Sequence, residues 1–383
     1  MEFIYIYLTL LLFCRILAYI VGMIIAKFGG TAMTPQNFSC LKRLVNDNCG
    51  CVVVSAIGKE YFVDTKVTDL LKQHFEGKQT AWPIIEDKFR RLVEVNSVSI
   101  DVDALLFDAR ERSLKFGRDY CLSLGEELTA KIASKFLACD YIEAQNCITF
   151  HNGKLHLKNT LNNLQTALKG VKRGVLGGFY GGCATGREVF SRGGGDVTGA
   201  LVAVATGALY QNWTDVCGVR KANPKRIQGA DALDCLSYAE MYALAKGGAE
   251  VLHPSAVKYC EAFGIPIVVS NYLNEFGQST IISNCPSRAR FLSVTEKQTK
   301  NGICATLLHG FEMGVVCECV SEVMHNLRCG VFGGRDITSQ VAVNYCRVLP
   351  DRLVIETSQS ILPLLYNVFH NAERREGLTI CRC

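Results

Sequence analysis

The chain has 383 residues, 49% of them hydrophobic and 20% charged, with a net charge of +5 at neutral pH. That balance belongs to a folded globular chain and excludes wholesale disorder; the positive excess is too small at this length to imply a nucleic-acid partner. Eight prolines and scattered glycines exclude collagen-like and proline-rich repeats, and the length suits two domains.

Residues 3–22 are apolar apart from Arg15. The stretch is just long enough to cross a bilayer, but a charge near its middle is costly there. No basic segment precedes it, so it is a poor signal peptide. Met23 opens a strand that could begin a complete protein. The expectation is that residues 1–22 are an upstream extension of the gene model. A membrane anchor is the alternative, and a packed apolar arm is the third.

From Met23 onward strands and helices alternate. Ile24–Lys27 reads as a strand, Pro35–Val45 as a helix and Cys51–Ala56 as a continuous apolar strand of the buried parallel type. Helical patterns fill most of 64–139. A short strand at Tyr141–Ala144, a hairpin turn at His151-Asn152-Gly153-Lys154 and a strand at Val171–Phe179 follow. Val197–Leu209 is apolar on nearly all sides, the mark of a buried helix. Asn212–Val216 and Pro266–Ser270 are further strands. This order predicts an α/β fold, a mostly parallel central sheet sandwiched by helices.

The text changes near 285–300. Strands at Gly302–His309, Leu327–Phe332, Leu353–Thr357 and Leu378–Cys381, with helices at Val315–Asn326 and Leu362–His370, predict a small α+β domain of the ferredoxin-like kind. Nineteen cysteines are scattered along the chain without any Cys-x-x-Cys pair. They are read as small buried hydrophobes in a reducing cytosol, and no zinc or other metal site is expected from them.

Glycine clusters stand between strands and helices at Phe28-Gly29-Gly30-Thr31, Ser55-Ala56-Ile57-Gly58-Lys59, Gly177–Gly182 and Arg192-Gly193-Gly194-Gly195-Asp196. Ligands of open α/β sheets bind at the carboxyl ends of the strands, where glycine lets backbone N–H groups approach a phosphate. Neither the dinucleotide-binding GxGxxG nor the P-loop signature occurs in its required context.

Several of these segments resemble aspartokinases, of the amino-acid kinase superfamily. Lys27-Phe28-Gly29-Gly30-Thr31 resembles the family's opening motif, and Val52-Val53-Val54-Ser55-Ala56 its second strand and phosphate loop. Ser123-Leu124-Gly125-Glu126 resembles its substrate motif, and Arg192-Gly193-Gly194-Gly195-Asp196 its RGGSD motif. Trp213–Val219 resembles its nucleotide-binding WTDVDGV, and Val251-Leu252-His253-Pro254 its VLHP signature. The resemblance covers about 23–285 as a kinase domain, leaving 286–383 as a reduced ACT-like regulatory or pairing region.

The resemblance implies a cytoplasmic enzyme that phosphorylates the side-chain carboxylate of L-aspartate with MgATP, opening lysine, threonine and methionine biosynthesis. It implies a homodimer joined through the ACT-like region, with a membrane involved only if 3–22 is a real anchor. Phosphoryl transfer needs charge neutralisation and alignment, and an acceptor that is already a carboxylate needs no strong base. Lys27 would stabilise the transferring group and Asp196 would organise the site. Arg192 would hold the α-carboxylate, Glu126 the ammonium, and Thr31 would line the acceptor side. Gly29, Gly30 and Ser55 would cradle phosphates. Thr214, Asp215, Val219 and Lys225 would sit by the nucleotide. His253 is read as structural, at a helix start before Pro254.

Departures from the family pattern bear on activity. Ala32 stands for its serine after KFGGT, Glu188–Ser191 for Thr-Thr-Leu-Gly, Gly195 for the serine of RGGSD, Arg220 for a tyrosine, and Ala222–Lys225 for ADPR. Glu250 stands for the lysine before VLHP, reversing a charge that Lys221, Lys225, Arg226 or Lys246 could restore. A slow enzyme, or a homologue without turnover acting as a binding subunit, is the competing expectation. A sibling kinase with another acceptor is disfavoured by VLHP and the ACT-like tail.

Overall fold

A computed structural model describes residues 22–285 and, with short gaps, 287–375. The expectations for residues 1–21 and for a strand at Leu378–Cys381 lie outside the described residues. Among the described residues no helix is long and apolar enough to cross a membrane.

The chain opens with the fully buried strand β1 (Ile24–Phe28). Only Cys40–Leu44 of the helix expected at 35–45 forms, as α1. Before it lie a tight 3-10 turn at Gly30–Met33 and a run of turns. Asn37 explains the shortfall: its side-chain amide donates to the Thr31 carbonyl (2.9 Å), a local bond that competes with helix formation. β2 (Cys49–Val54) is buried throughout. Helices α2 (Val67–Phe75), α3 (Ala81–Val95), α4 (Val102–Ser113) and α5 (Arg118–Leu137) fill the long helical stretch. β3 (Asp140–Ile142) and the short α6 (Ala144–Cys147) follow.

The hairpin β4 (Phe150–His151) and β5 (Lys154–Leu155) turns through Asn152 and Gly153, both at positive φ, as a two-residue hairpin loop demands. After α7 (Leu157–Leu168) and β6 (Gly174–Gly177) comes a second hairpin, β7 (Tyr180–Cys183) and β8 (Gly186–Val189), which the glycine-rich text did not announce. The expected buried helix starts three residues early, as α8 (Gly194–Thr206), and stops at the left-handed Gly207. β9 (Leu209–Thr214) follows. The short strands β10 (Val219–Arg220), β11 (Ala232–Leu233) and β12 (Cys235–Ser237) lead into α9 (Tyr238–Gly247), opened by a Ser237–Glu240 capping box. Then come α10 (Pro254–Phe263), β13 (Ile267–Asn271) and β14 (Thr280–Ser283).

The C-terminal part holds β15 (Phe291–Gln298), β16 (Ile303–His309), α11 (Met313–Cys329), β17 (Val331–Phe332), β18 (Arg335–Asp336), β19 (Val343–Val348), β20 (Arg352–Thr357) and α12 (Leu362–Arg375). Residues 291–298, assigned no element above, are a strand paired antiparallel with β16. Its first half is buried and its charged end exposed, which masks the alternation. β19 was likewise unexpected, and only Val331–Phe332 of the strand expected at 327–332 forms.

The described residues fall into two compact units. One runs to Val216 and adds Ser255–Gly277; the other joins Cys217–Pro254 to the residues from Gln278 on. This grouping differs from the split expected at 285/286. Within the second unit Ala222 and Ala230 share a core with Phe291, Leu307, Ile355 and Phe369, and the Val294 N–H donates to the Lys221 carbonyl (2.7 Å).

In the first unit the strands order β13-β9-β1-β2-β6-β3, every neighbouring pair parallel. Helix α8 packs on β1, β2 and β9, and α5 on β2, β3 and β6. The carboxyl ends of β1, β2, β6 and β9 therefore share one edge. In the second unit β15-β16-β20-β19 form an antiparallel sheet with α11 and α12, the small α+β domain expected. Cys40, Cys49, Cys51, Cys121, Cys147, Cys260 and Cys319 are buried free thiols, whereas Cys285 and Cys317 are exposed.

Candidate active site

Three glycine-rich turns leave the carboxyl ends of β1, β2 and β6 and meet the start of α8. The Gly58 N–H donates to the Gly30 carbonyl (2.8 Å), and a Cβ on Gly30 would lie 2.9 Å from the Ala56 carbonyl oxygen. The Gly178 N–H donates to the Val54 carbonyl (2.9 Å), and a Cβ there would stand 2.8 Å from the Gly195 Cα. These are backbone-to-backbone contacts that only glycine permits.

Lys27, at the end of β1, points into this convergence. Its Nζ lies 2.6 Å from Oδ1 of Asp196, both side chains being mostly buried. Asp196 is the third residue of α8, and Gly193 holds the cap position. An acidic residue in a first turn is favoured by the helix dipole. Gly195 brings α8 against both Ser55 and Lys27: a Cβ there would be 3.2 Å from the Ser55 Oγ and 3.5 Å from the Lys27 Cε. Gly29 borders the Lys27 ammonium at 3.8 Å by the same measure.

Glu126, on α5, closes the other side. The Ala56 N–H hydrogen-bonds its carboxyl, while Oε2 is buried with no hydrogen-bond partner among the described residues. Burial pushes its pKa up to about 8, against the pull of the Ala56 bond. A buried carboxyl oxygen left without a donor is expensive in an isolated fold and fits a site that receives one from a ligand. Ser55 thus faces Lys27 and Gly195 while the adjacent Ala56 holds Glu126.

Thr31 sits in the 3-10 turn, its hydroxyl bonded to the Tyr272 hydroxyl, which also accepts from Asn37 Nδ2 at 3.2 Å. Burial raises the Tyr272 pKa. Thr214 ends β9 and its hydroxyl donates to the exposed Asp215 (3.2 Å). Arg192 is exposed in the turn before α8. Val219 and Lys225 belong to the second unit. There the Val219 N–H donates to Thr280 Oγ1 (2.7 Å), and Lys225 is exposed beside Asn223. His253 immediately precedes α10, with Pro254 at that helix's first position.

One expectation about charge is corrected. Lys221 is not available to offset Glu250: it is buried and bonded to the equally buried Glu373 at 2.6 Å, and Arg226 is paired with Glu296. Glu127 follows Glu126 on α5. It is buried among Arg187, Arg112 and Lys131, at 2.6, 3.0 and 2.6 Å. Tyr272, Asn37 and this charge cluster were missed because their partners come from distant segments. An asparagine just after the Gly-Gly-Thr turn was the one local signal.

A family model described as the amino acid kinase family matches residues 22–271. The chain is 28% identical over 286 residues to the aspartokinase of Chlamydia trachomatis serovar D, covering 68% of this chain and 64% of that one. It is 27% identical over 286 residues to aspartokinase 3 of Bacillus subtilis, covering 67% and 63%. The match thus spans less than two thirds of those relatives' own lengths. Among solved structures, Clostridium acetobutylicum aspartate kinase superposes with a TM-score of 0.67 at 22% identity, over 93% of this chain and 82% of that one. The E. coli aspartokinase III complex with aspartate and ADP gives 0.63 at 20%, over 92% and 83%. The fold expected from the motifs, an amino-acid kinase sheet followed by an antiparallel α+β part, is the fold found.

Proposed function

The chain belongs to the amino acid kinase family, and from that premise we propose that it is an aspartate kinase. It would move the γ-phosphoryl group of ATP to the side-chain carboxylate of L-aspartate, giving 4-phospho-L-aspartate and ADP, at the head of lysine, threonine and methionine biosynthesis. The observation that carries this reading is the Lys27–Asp196 pair set among three glycine turns, with the orphaned oxygen of Glu126 across Ser55-Ala56 from it.

In this reading the acceptor carboxylate oxygen forms the new P–O bond as the bond to the β-phosphate oxygen breaks and ADP leaves. Lys27, held by Asp196, offsets the negative charge on the transferring group. Glu126 takes the ammonium of aspartate, Arg192 its α-carboxylate in the planar bidentate way suited to a guanidinium, and Thr31 lines the same side. Gly29, Gly30 and Ser55 hold phosphates. Thr214, Asp215, Val219 and Lys225 hold the nucleotide. Among the described residues no three metal-ligating side chains converge. The residues present fit Mg2+ carried on phosphate oxygens, where that ion neutralises charge. The reading keeps 23–285 as the kinase domain and 286–383 as the ACT-like part pairing two copies in the cytoplasm.

A catalytically weak homologue is the second reading. It is favoured by Glu250 together with the engagement of Lys221 and Arg226 elsewhere. The test is coupled ADP release by residues 23–383 with MgATP and L-aspartate, beside an Asp196→Ala control. Aspartate-dependent release abolished in the control supports the kinase. Absence of release from folded protein at saturating substrates supports the second reading.

A further inference from the structure

Arg187 lies in β8 with its side chain 3% exposed, and all three of its nitrogens are hydrogen-bonded. Its Nε donates to Gln145 Oε1 (2.8 Å). Nη1 donates to Ser123 Oγ (2.9 Å) and Glu127 Oε2 (2.6 Å), and Nη2 to Glu143 Oε2 (3.1 Å). The guanidinium also lies 4.4 Å from the Tyr120 ring centroid and 4.6 Å from that of Tyr180. Glu143 accepts in turn from the hydroxyls of Tyr141 and Tyr180, both at 2.8 Å. The second oxygen of Glu127 takes Arg112 and Lys131.

Two neighbours give this cluster its meaning. Glu127 follows Glu126 on α5. Arg187 stands five residues before Arg192, on the hairpin strand that runs into the Arg192–Gly195 turn. One guanidinium therefore ties the segment carrying Arg192 to the helix carrying Glu126. Burying it for stability alone is a poor bargain, because a buried ion pair recovers little beyond its desolvation cost. A planar fork with several fixed donors is well suited to setting a geometry.

We propose that Arg187 is a positioning residue for the acceptor: through Glu127 and Glu143 it fixes the spacing between Arg192 and Glu126, and so the grip on the carboxylate and ammonium of an α-amino acid. This rests on the assignment of Glu126 and Arg192 to acceptor binding. The role predicts a selective defect. In Arg187→Met the KM for aspartate, or its Kd by calorimetry, rises about ten- to a hundredfold, the scale expected when a binding group is displaced by an ångström. The KM for ATP stays within about twofold, since Lys27 and the β1 and β2 turns are untouched.

The experiment measures both KM values, kcat, aspartate Kd and melting temperature for wild type, Arg187→Met, Arg187→Lys and Glu127→Gln in the full chain. Arg187→Lys keeps the buried charge but not the fork, so it keeps the readout alive if the methionine variant does not fold. Its expected shift in aspartate KM or Kd is smaller but in the same direction. A rise confined to aspartate supports the proposal. Unchanged aspartate affinity in a folded Arg187→Lys or Arg187→Met overturns it, as does a parallel loss in both substrates that tracks melting temperature. If wild type neither turns over nor binds aspartate, the assignment of the site falls and the proposal falls with it. Saturable aspartate binding in wild type separates that case from a failure of Arg187 alone.

Discussion

Glu126 and Glu127 are consecutive buried residues of one helix, and the protein drives their carboxyls in opposite directions. Burial pushes Glu126 up to about 8. Burial would raise Glu127 too, but the hydrogen bond from Arg112 and the charges of Arg187 and Lys131 overcome it and hold its carboxyl at about 2. Consecutive helix positions point about 100° apart, so one faces the turn at Ala56 and the other the cation cluster.

This opposition has a pH signature. Folded Glu126 keeps its proton above its ordinary value of 4.5, so its contribution to stability is full below that pH and is lost as pH rises through about 8. Glu127 contributes above 4.5 and loses that as pH falls towards about 2. Glu126→Gln should therefore gain stability relative to wild type as pH rises from about 5 to about 8, read as melting temperature. Aspartate binding, which needs the ionised carboxylate, should release close to one proton near neutral pH. Calorimetry in buffers of different ionisation enthalpy measures this release. Binding without proton release, or release that persists in Glu126→Gln, would count against the ammonium role.

The Lys27–Asp196 pair makes a kinetic prediction. Lys27→Ala and Asp196→Asn should each lower kcat by about a hundred- to a thousandfold, the usual cost of removing one preorganised electrostatic contact. Circular dichroism should remain that of the wild type, because neither residue belongs to the apolar core. A change in KM alone would move the pair out of the transfer step.

In the second unit the Lys221–Glu373 pair is a stability test. Lys221→Met strands a buried carboxylate that also accepts from the Phe291 N–H (3.1 Å), and should cost about 3–5 kcal/mol. The double variant Lys221→Met/Glu373→Leu should recover most of that loss, since an apolar pair can replace a buried ion pair. Urea unfolding of the two variants reads the difference. Equal loss in both would mean that packing, not charge, dominates there.

Gly30→Ala tests the contact between the β1 and β2 turns. The added methyl meets the Ala56 carbonyl and Gly58 backbone in the turn that follows β2. We expect destabilisation of about 1–3 kcal/mol and a raised KM for ATP. An unchanged KM for ATP would place the phosphates elsewhere.

What the sequence disclosed was whatever is local. The β1 strand with Lys27 and its glycines, the Asn152-Gly153 turn and the buried helix at 197–209 each follow from neighbours in the chain. Arg187 could not be read this way, because Glu127 is 60 residues distant. Lys221 was expected among the charges able to offset Glu250, yet its carboxylate partner lies 152 residues on. The Phe291–Gln298 strand was hidden by its charged half. In each case a long-range partner overrode the local pattern.

The buried thiols give the molecule a built-in clock for opening. Burial pushes Cys40, Cys121 and Cys260 up to about 12 and Cys49 to about 11, so in the native state they present almost no thiolate to an alkylating reagent. Cys285 and Cys317 stand exposed and react first. Once the exposed and half-buried thiols have reacted, a label on Cys40, Cys49, Cys121 or Cys260 marks an excursion of its own strand or helix into solvent. Peptide mapping of the labels then ranks those excursions element by element, without introducing any foreign probe.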